Sequence, residues 1–461
     1  MRTKAQAILI GSILFMLVVP ATAQTDASGW ISMFDGKSLE GWKTADESPG
    51  TFSIQDGAIK ANGPRSHLFY VGSVENADFR DFELKVDVMT KPGSNGGIYF
   101  HTGWQGKGWP GTGFEVQVNN SYKRDPRRTG SLYGIQDITD VPAKDNEWFT
   151  VHITVWGKHV TVCVNGQEVV DWVEPASASG RVLDRGTFGL QGHDPGSTVR
   201  YRNIRVKPLP VLTDYHVHLK GGLTLDEAIA MAEQRRAKFG IAENCGVGFP
   251  TTNDAALEPF LAKLEGKPVY RAMQAEGREW VTMFSPETIA KFDYVFTDSM
   301  TWTNDRGKRM RLWVPSEVEV GDKQEFMDML VDRTVGILTR EPIDIYVNPT
   351  FLPAVIAKEY DTLWTAERMD RVIEAAVKND VAIEINARYR LPSEAFIRRA
   401  KAAGATFAFG TNNGGKNLGD LAYSREMARK YNLTKGDFFV PKPDGRKPVQ
   451  VKGLPRSESD R

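Results

Sequence analysis

The apolar pattern of this chain changes period at Pro208 and Pro210, and no single packed layer satisfies both patterns. From Trp30 to about Lys207 the residues alternate. In Asp81–Thr90, Phe82, Leu84, Val86 and Val88 share one face of a strand, with polar residues between them. The stretches "GGIYFHTG", "GTGFEVQVNN", "GTFGLQGH" and "STVRYRNIRVKP" read the same way. In "WFTVHITVWGKHVTVCVNGQEVVDW", Gly157-Lys158 and Asn165-Gly166 punctuate three strands, and Asn-Gly is a strong two-residue hairpin signal. Strands without helices predict a two-sheet antiparallel sandwich over 28–208.

After the prolines the period becomes helical. Thr224 with Glu227 three residues later is a capping box opening "TLDEAIAMAEQRRAKFG", whose helix is expected to run to a stop at Gly240. "TAERMDRVIEAAVKND" places Met369, Val372, Ile373, Ala376 and Val377 on one face, and "SEAFIRRAKAAG" ends at Gly404. Between these lie seven short apolar runs, "VLTDYHVH", "FGIAENC", "PVYRAMQAE", "FDYVFTDS", "IDIYVNP", "VAIEINA" and "TFAFGTN". Apolar runs alternating with helices predict a parallel sheet covered by helices over 211–440. Seven strands favour a distorted (β/α)7 barrel, with an open doubly wound sheet as the competing arrangement. The segment 302–320, dense in charge and tryptophan, is read as a lid over the barrel mouth.

Other features bound the class. Arg2 and Lys4 precede an apolar run from Ile8 to Val19 and a small-residue site at Ala21-Thr22-Ala23, so 1–23 reads as a secretory signal peptide and the protein as exported, periplasmic or extracellular. No later stretch is long and apolar enough for membrane insertion. Lys plus Arg, at 58, equal Asp plus Glu, at 58, which argues against a nucleic-acid partner. Cys163 and Cys245 fall in different halves, so no disulfide is expected between them. The tail 441–461, charged and rich in Pro and Ser, reads as disordered. Oligomeric state leaves no mark in the sequence.

Polar residues gather where the seven runs finish. His216 and His218 end the first, Glu243 and Asn244 the second; Glu276 and Glu279 follow the third and Asp298 the fourth. Asn348 ends the fifth, Glu384 and Asn386 the sixth, and Thr411, Asn412 and Asn413 the seventh. A barrel brings all these ends to one rim, which makes Asp298, Asn348, Glu384, Asn386 and Asn412 candidates for a polar site. Two histidines two apart on a strand point to one face, and with a carboxylate could hold a divalent metal such as zinc, manganese or calcium. The alternative is one inward and one packed histidine, bound to backbone carbonyls.

"DYHVHLKGG", the seven strands and the polar rim resemble the metal-dependent phosphoesterases of the PHP superfamily over about 211–425. The resemblance implies His216 and His218 as the opening ligand pair, Glu243 as the carboxylate after the second strand and Glu279 as a bridging carboxylate. It breaks down further on. "TDSMTW" from Thr297, Asn348-Pro349 and Gly410-Thr411-Asn412-Asn413-Gly414 stand where that family has histidines and an aspartate. A neutral amide offsets less cation repulsion than a carboxylate. One metal on the first two strands and an empty polar pocket both remain open, and Asp298 standing in for a lost imidazole keeps a two-metal site open.

The first half has a closer resemblance. "MFDGKSLEGWK", "GGIYF", "GFEVQV", "TGSLYG", "VCVNGQEV", "FGLQGH" and "YRNIRVK" resemble the 3-keto-disaccharide hydrolase family from about Trp30 to Lys207. That implies a concanavalin- or lectin-like jelly-roll sandwich acting on 3-keto-glycosides. The oxidised C3 of such a sugar acidifies the C2 proton, so the glycosidic bond can be cleaved by elimination and hydration. The chemistry needs a base, a stabiliser of the enolate oxygen and an acid for the leaving group. Glu115 and Gln117 share one strand face, and Gln191 and His193 another. If the two strands are neighbours, Glu115 is the base or a metal ligand, His193 the proton donor or a ligand, and Gln117 and Gln191 hold hydroxyls. Arg128 and Tyr133 would line the edge, with Trp104 or Trp109 as a stacking platform. A sheet-surface Glu115 paired with an arginine is the alternative. Asn119 stands where the family often has an aspartate, which leaves sugar binding without cleavage open.

Three readings result, all with a saccharide as partner. In the first, the sandwich is a hydrolase or lyase of modified sugars fused to a degenerate PHP-like barrel. In the second, it is a carbohydrate-binding module beside a metal-dependent hydrolase. In the third, neither half is catalytic.

Overall fold

The computed structural model describes residues 25–455 apart from 27, 142, 176 and 305. The expected signal peptide lies outside the described residues. Two antiparallel sheets face each other in the first half. The larger has eight strands. In spatial order these are Gln167–Val173, His159–Val164, Phe149–Trp156, Phe82–Thr90, Val199–Pro208, Ala58–Ala61 and Phe52–Gln55, with Ile31–Ser32 added to the side of Val199–Pro208. The smaller has five, ordered Trp42–Thr44, Ser66–Tyr70, Thr187–Gly192, Gly96–Thr102 and Phe114–Val118. Phe82, Leu84, Val86 and Val88 of one sheet and Leu68, Ile98, Phe100, Phe114, Val116 and Leu190 of the other form the buried layer between them. Asn165 and Gly166 both take positive φ, 52° and 82°, between the paired Val164 and Gln167, as a two-residue hairpin of this hand requires.

The second half is a parallel sheet of seven strands in chain order: Thr213–Val217, Lys238–Gly246, Tyr270–Glu276, Tyr294–Thr297, Ile345–Tyr346, Ala382–Asn386 and Phe407–Gly410. The first and last strands lie side by side, so the sheet is a near-closed barrel rather than an open doubly wound sheet. Side chains close that seam. Asn413 accepts from the His218 amide at 2.7 Å and donates to the His218 carbonyl at 2.9 Å, supplying both halves of a ladder rung from one amide. Asp214 accepts from Thr411 N, Thr411 Oγ1 and Gly419 N at 3.0, 2.6 and 2.9 Å. Tyr215, Ala242, Ala272, Tyr294, Phe296, Ile345 and Val347 fill the interior below the rim.

The capping box forms as expected, but its helix spans Leu225–Gln234 and stops short of Gly240. Gly240 lies inside a strand, where a Cβ would meet Tyr294 Oη at 1.7 Å; the glycine admits a barrel-filling ring rather than ending a helix. Ala366–Lys378 and Glu394–Ala402 are helices capped by Thr365 and Ser393. On the first of these Met369, Val372, Ile373 and Ala376 are buried, while Val377 is exposed. The expected lid is a packed wall. Thr301–Thr303 pairs with Arg309–Arg311, and Trp302, Met310 and Leu312 are buried in the barrel's outer core. The expected disordered tail also docks over its described part. Pro448–Lys452 is helical, Val449 is buried, and Lys447 donates to the carbonyls of Ala290 and Phe292 at 2.5 and 2.7 Å. These contacts supply the apolar and polar partners that composition alone does not reveal.

The halves are pinned together by Arg236, which donates to Gly157 O at 2.9 Å and to Asp184 O, and by Trp156, whose ring meets Phe409 and Phe438. Cys163 and Cys245 are both free. Among the described residues no helix is long and apolar enough to cross a membrane.

Candidate functional site

Strand pleating puts Tyr99, Glu115, Gln117 and Gln191 on the face of the five-stranded sheet that points away from the sandwich core. The expected neighbouring of the two site strands does not occur; Gly96–Thr102 runs between them. Tyr99 sits directly opposite Glu115 in the ladder. Leu190 pairs with Ile98, which brings Gln191 beside Gly97. A Cβ on Gly97 would lie 2.2 Å from Glu115 Oε1, so the missing side chain is the gap across which Gln191 and Glu115 meet.

Both oxygens of the Glu115 carboxyl are engaged. Tyr99 Oη donates to Oε2 at 2.7 Å and Gln191 Nε2 to Oε1 at 2.7 Å. Among the described residues no arginine forms an ion pair with it, and the paired-surface alternative gives way to a carboxyl 7% exposed. Burial pushes the Glu115 pKa up to about 7 against the pull of those two donors. Burial, then the charge of Glu115, raises the Tyr99 phenol, which stays protonated and donating. Gln117 Nε2 donates to Asn95 Oδ1 at 3.1 Å, while the Oε1 atoms of Gln117 and Gln191 are buried without a partner among the described residues. Two orphaned acceptors beside a cavity are places for a ligand's hydroxyls.

The cavity, about 240 Å³, is bounded by Glu115, Gln117, Gln191 and His193 together with Tyr133, Trp109, Tyr99, Asn95, Pro110, Asp125 and Arg181. His193 stands one residue beyond its strand. Its Nδ1 donates to Asp194 Oδ2 at 2.7 Å, which leaves Nε2 as the nitrogen available to a ligand, and its ring lies 5.6 Å from that of Trp109. Trp109 is 46% exposed and also meets His67, whose imidazole burial lowers to about 4.

Two expected residues are elsewhere. Arg128 donates to Asn119 Oδ1, Tyr122 O and Asp125 O and holds the loop together, so it does not bound the cavity; Arg181 supplies the guanidinium. Trp104 donates to Thr44 O under Lys43, whose Nζ is 3.8 Å from the ring centre, away from the cavity; Trp109 is the indole that bounds it. Asn119 is fully buried, its amide donating to Tyr122 O, Asp125 O and Arg127 O, and the carboxylate that this loop turns toward the cavity is Asp125. Sequence reasoning missed Tyr99, Asn95, Asp125 and Arg181. Tyr99 carried a signal, the same face as Glu115 across a ladder; Arg181 lies in a loop without periodicity.

At the barrel rim, Asp298, Asn348, Glu384, Asn386 and Asn412 do come together. Asn348 Nδ2 donates to Asp298 Oδ2 at 3.0 Å, and Asn348 Oδ1 accepts from Asn386 and Asn412 at 3.2 and 3.1 Å. Glu384 accepts from Asn348 N, Asn386 Nδ2 and His216 Nδ1 at 2.6, 3.0 and 2.7 Å.

The four expected metal ligands do not form a set. His216 and His218 are close, with ring centres 5.2 Å apart and both Nε2 atoms buried without a partner among the described residues. Glu243 alternates with the inward Asn244 and accepts from Thr251 Oγ1 at 3.1 Å. Glu279 pairs with Arg309 at 3.1 Å and accepts from Thr303, on the wall hairpin. The carboxylate that the third strand does send to the rim is Glu276, three residues earlier. Among the described residues no group of three or more His, Cys, Asp and Glu side chains is placed to hold a metal ion. The geometry thus gives no positive support to the metal centre that the PHP resemblance implies.

Comparison with known proteins bears on the sandwich. Residues 29–207 match the family described as the 3-keto-alpha-glucoside-1,2-lyase-like domain. A 3-keto-disaccharide hydrolase of Bacteroides thetaiotaomicron is 27% identical over 238 residues, covering 40% of this chain and 80% of that protein. A crystal structure from Parabacteroides distasonis, of a protein named only provisionally as a glycosyl hydrolase, superposes with a TM-score of 0.34 at 20% identity, over 40% of this chain and 95% of the other. A carbohydrate-binding module from Bacillus subtilis does so with a TM-score of 0.27 at 16% identity, over 36% and 93%. The N-terminal region, the part that folds as a sandwich around Glu115, is thus the region that matches the 3-keto-disaccharide hydrolase-like family.

Proposed function

We propose that the sandwich is a carbohydrate-active enzyme of an exported protein, cleaving 3-keto-glycosides at the Glu115 cavity. The observation that carries the reading is a buried carboxyl, held near neutral pKa, in one cavity with an imidazole, a guanidinium and an exposed indole. A base is most effective when its pKa lies near the working pH. Glu115 takes the C2 proton, and the C2–H electrons form an enolate whose oxygen, on C3, is balanced by Arg181. His193 Nε2 gives a proton to the glycosidic oxygen as the C1–O bond breaks and C1=C2 forms. Water then adds across that double bond: its hydroxyl goes to C1 as His193 Nε2 takes its proton, and Glu115 returns its proton to C2, which resets both groups. Tyr99 and Gln191 hold the carboxylate in place, and Gln117 and Gln191 offer their free carbonyl oxygens to sugar hydroxyls. Trp109 is the flat wall against which a ring stacks. With both Glu115 oxygens occupied by donors, the base role is better supported than a metal-ligand role.

The test is a panel of 3-keto-glucosides with product analysis, each run with EDTA and with divalent metals added one at a time. Turnover by the wild type, lost in Glu115→Ala and undiminished by EDTA, is the expected result. Binding without turnover, or turnover unchanged in Glu115→Ala, sinks the assignment.

A further inference from the structure

A second cavity, of about 520 Å³, opens at the barrel rim, and the sandwich chemistry does not account for it. Its floor is built of buried polar groups. Glu276 Oε1 accepts from Asn244 Nδ2 and Gln274 Nε2 at 3.0 and 2.9 Å, and Asp298 accepts from Asn348. Gln274 is 5% exposed and bounds the cavity, with its carboxamide beside the buried His218 imidazole. The floor thus presents amide and carboxyl groups that can both accept from and donate to a ligand's hydroxyls. The mouth differs in kind. Lys220 and Arg388 are exposed there, and no carboxylate among the described residues forms an ion pair with either; Arg388 donates only to Asn412 O. Trp313, 40% exposed, supplies a flat apolar wall.

We propose that this cavity is a binding site for an anionic monosaccharide, a hydroxylated carbon frame bearing a carboxylate or a phosphate. Carboxyl and amide oxygens on the floor accept from hydroxyls, amide nitrogens donate to them, and the cations at the mouth hold the anionic end. Neutral sugars fill the floor and leave the cations unused. Simple anions do the reverse. Burial, with the Asp298 charge beside it, pushes the Glu276 carboxyl up to about 8, so the floor need not carry two negative charges when an anion enters above it.

The test is calorimetric titration of the full chain, in EDTA, with glucose, glucuronate, glucose 6-phosphate and inorganic phosphate. The two charged sugars separate a carboxylate site from a phosphate site. At least one should bind tenfold or more tightly than both glucose and inorganic phosphate. Lys220→Met and Arg388→Met, at exposed positions outside the barrel core, should each weaken that binding about tenfold. Gln274→Leu should weaken it with the charge preference retained. The binding should survive Glu115→Gln, which alters only the sandwich cavity. Glucose or inorganic phosphate binding as tightly as the charged sugars, no binding of either charged sugar, or full affinity in Lys220→Met overturns the proposal.

Discussion

Replacing Glu115 by glutamine separates the chemistry of its carboxyl from its shape. In the folded protein the group titrates at about 7, against an ordinary value of 4.5. Between those two values the folded chain keeps a proton that the unfolded chain has released. Stability therefore falls as pH rises through that window and is fully present below it. The shift is worth about 3 kcal/mol at 1.36 kcal/mol per unit. An amide at position 115 never ionises and avoids this loss. It also fits the hydrogen bonds, because Gln191 Oε1 is unpartnered and a reversal of the Gln191 amide lets it accept from the new NH2 group, while Tyr99 still donates to the remaining oxygen. Urea unfolding of Glu115→Gln and wild type should accordingly agree at pH 4 and diverge by about 3 kcal/mol at pH 8, the variant being the more stable. Turnover of a 3-keto-glucoside should fall about 10²- to 10⁴-fold in the same variant, as for loss of a general base. A stability gap that does not depend on pH would refute the buried-carboxyl argument. Turnover within a few-fold of wild type would refute the base.

Two further outcomes follow from single contacts. Tyr99→Phe removes a donor to the Glu115 carboxylate, which favours its protonated form, so the acidic limb of kcat/KM, expected near 7, should move to higher pH; a limb that stays in place would separate Tyr99 from the base. Asn413→Leu leaves the His218 N–H without a partner at the barrel seam, while Lys220 N still donates to the His218 C=O, and should cost about 1–3 kcal/mol in urea unfolding, the cost of one orphaned group; a cost below about 0.5 kcal/mol would show the seam to be closed by something else.

The sequence was legible where one residue answers to local rules. Asn165-Gly166 turns a hairpin because both positions need positive φ, and Thr224 with Glu227 caps a helix because three-residue spacing is all the box requires. Pleating likewise put Glu115 and Gln117 on one strand face. What local rules could not supply was the identity of the neighbouring strand. Tyr99 reads as one more strand aromatic in "GGIYF" until the ladder sets it against Glu115, and Gly97 carries no meaning of its own until the Glu115 side chain is seen to occupy its Cβ space. Arg128 and Arg181 are alike in sequence. Only the loop carbonyls that claim Arg128 decide which one is free to reach the cavity. Glu279 was misread for a related reason: three residues past a strand end are enough to carry a carboxylate off the rim and onto Arg309, and Glu276 faces the cavity instead.

The amides at the barrel rim carry more meaning than lost ligands. Each both donates and accepts, and the network uses both abilities. Asn412 and Asn386 donate to Asn348 Oδ1, and the Asn348 amide donates in turn to Asp298, while Asn386 also donates to Glu384. A carboxylate at position 412 could not fill that place. It would remove one of the donors to Asn348 Oδ1, set two acceptors face to face and add a negative charge to a rim that already holds Glu276, Asp298 and Glu384. Restoring aspartate there would not by itself recreate a metal centre, because Glu243 and Glu279 are committed elsewhere and Asn413 is needed at the seam. The rim is organised around neutral amides that orient a few carboxyls, and such an arrangement suits reading hydroxyl groups better than gathering cations.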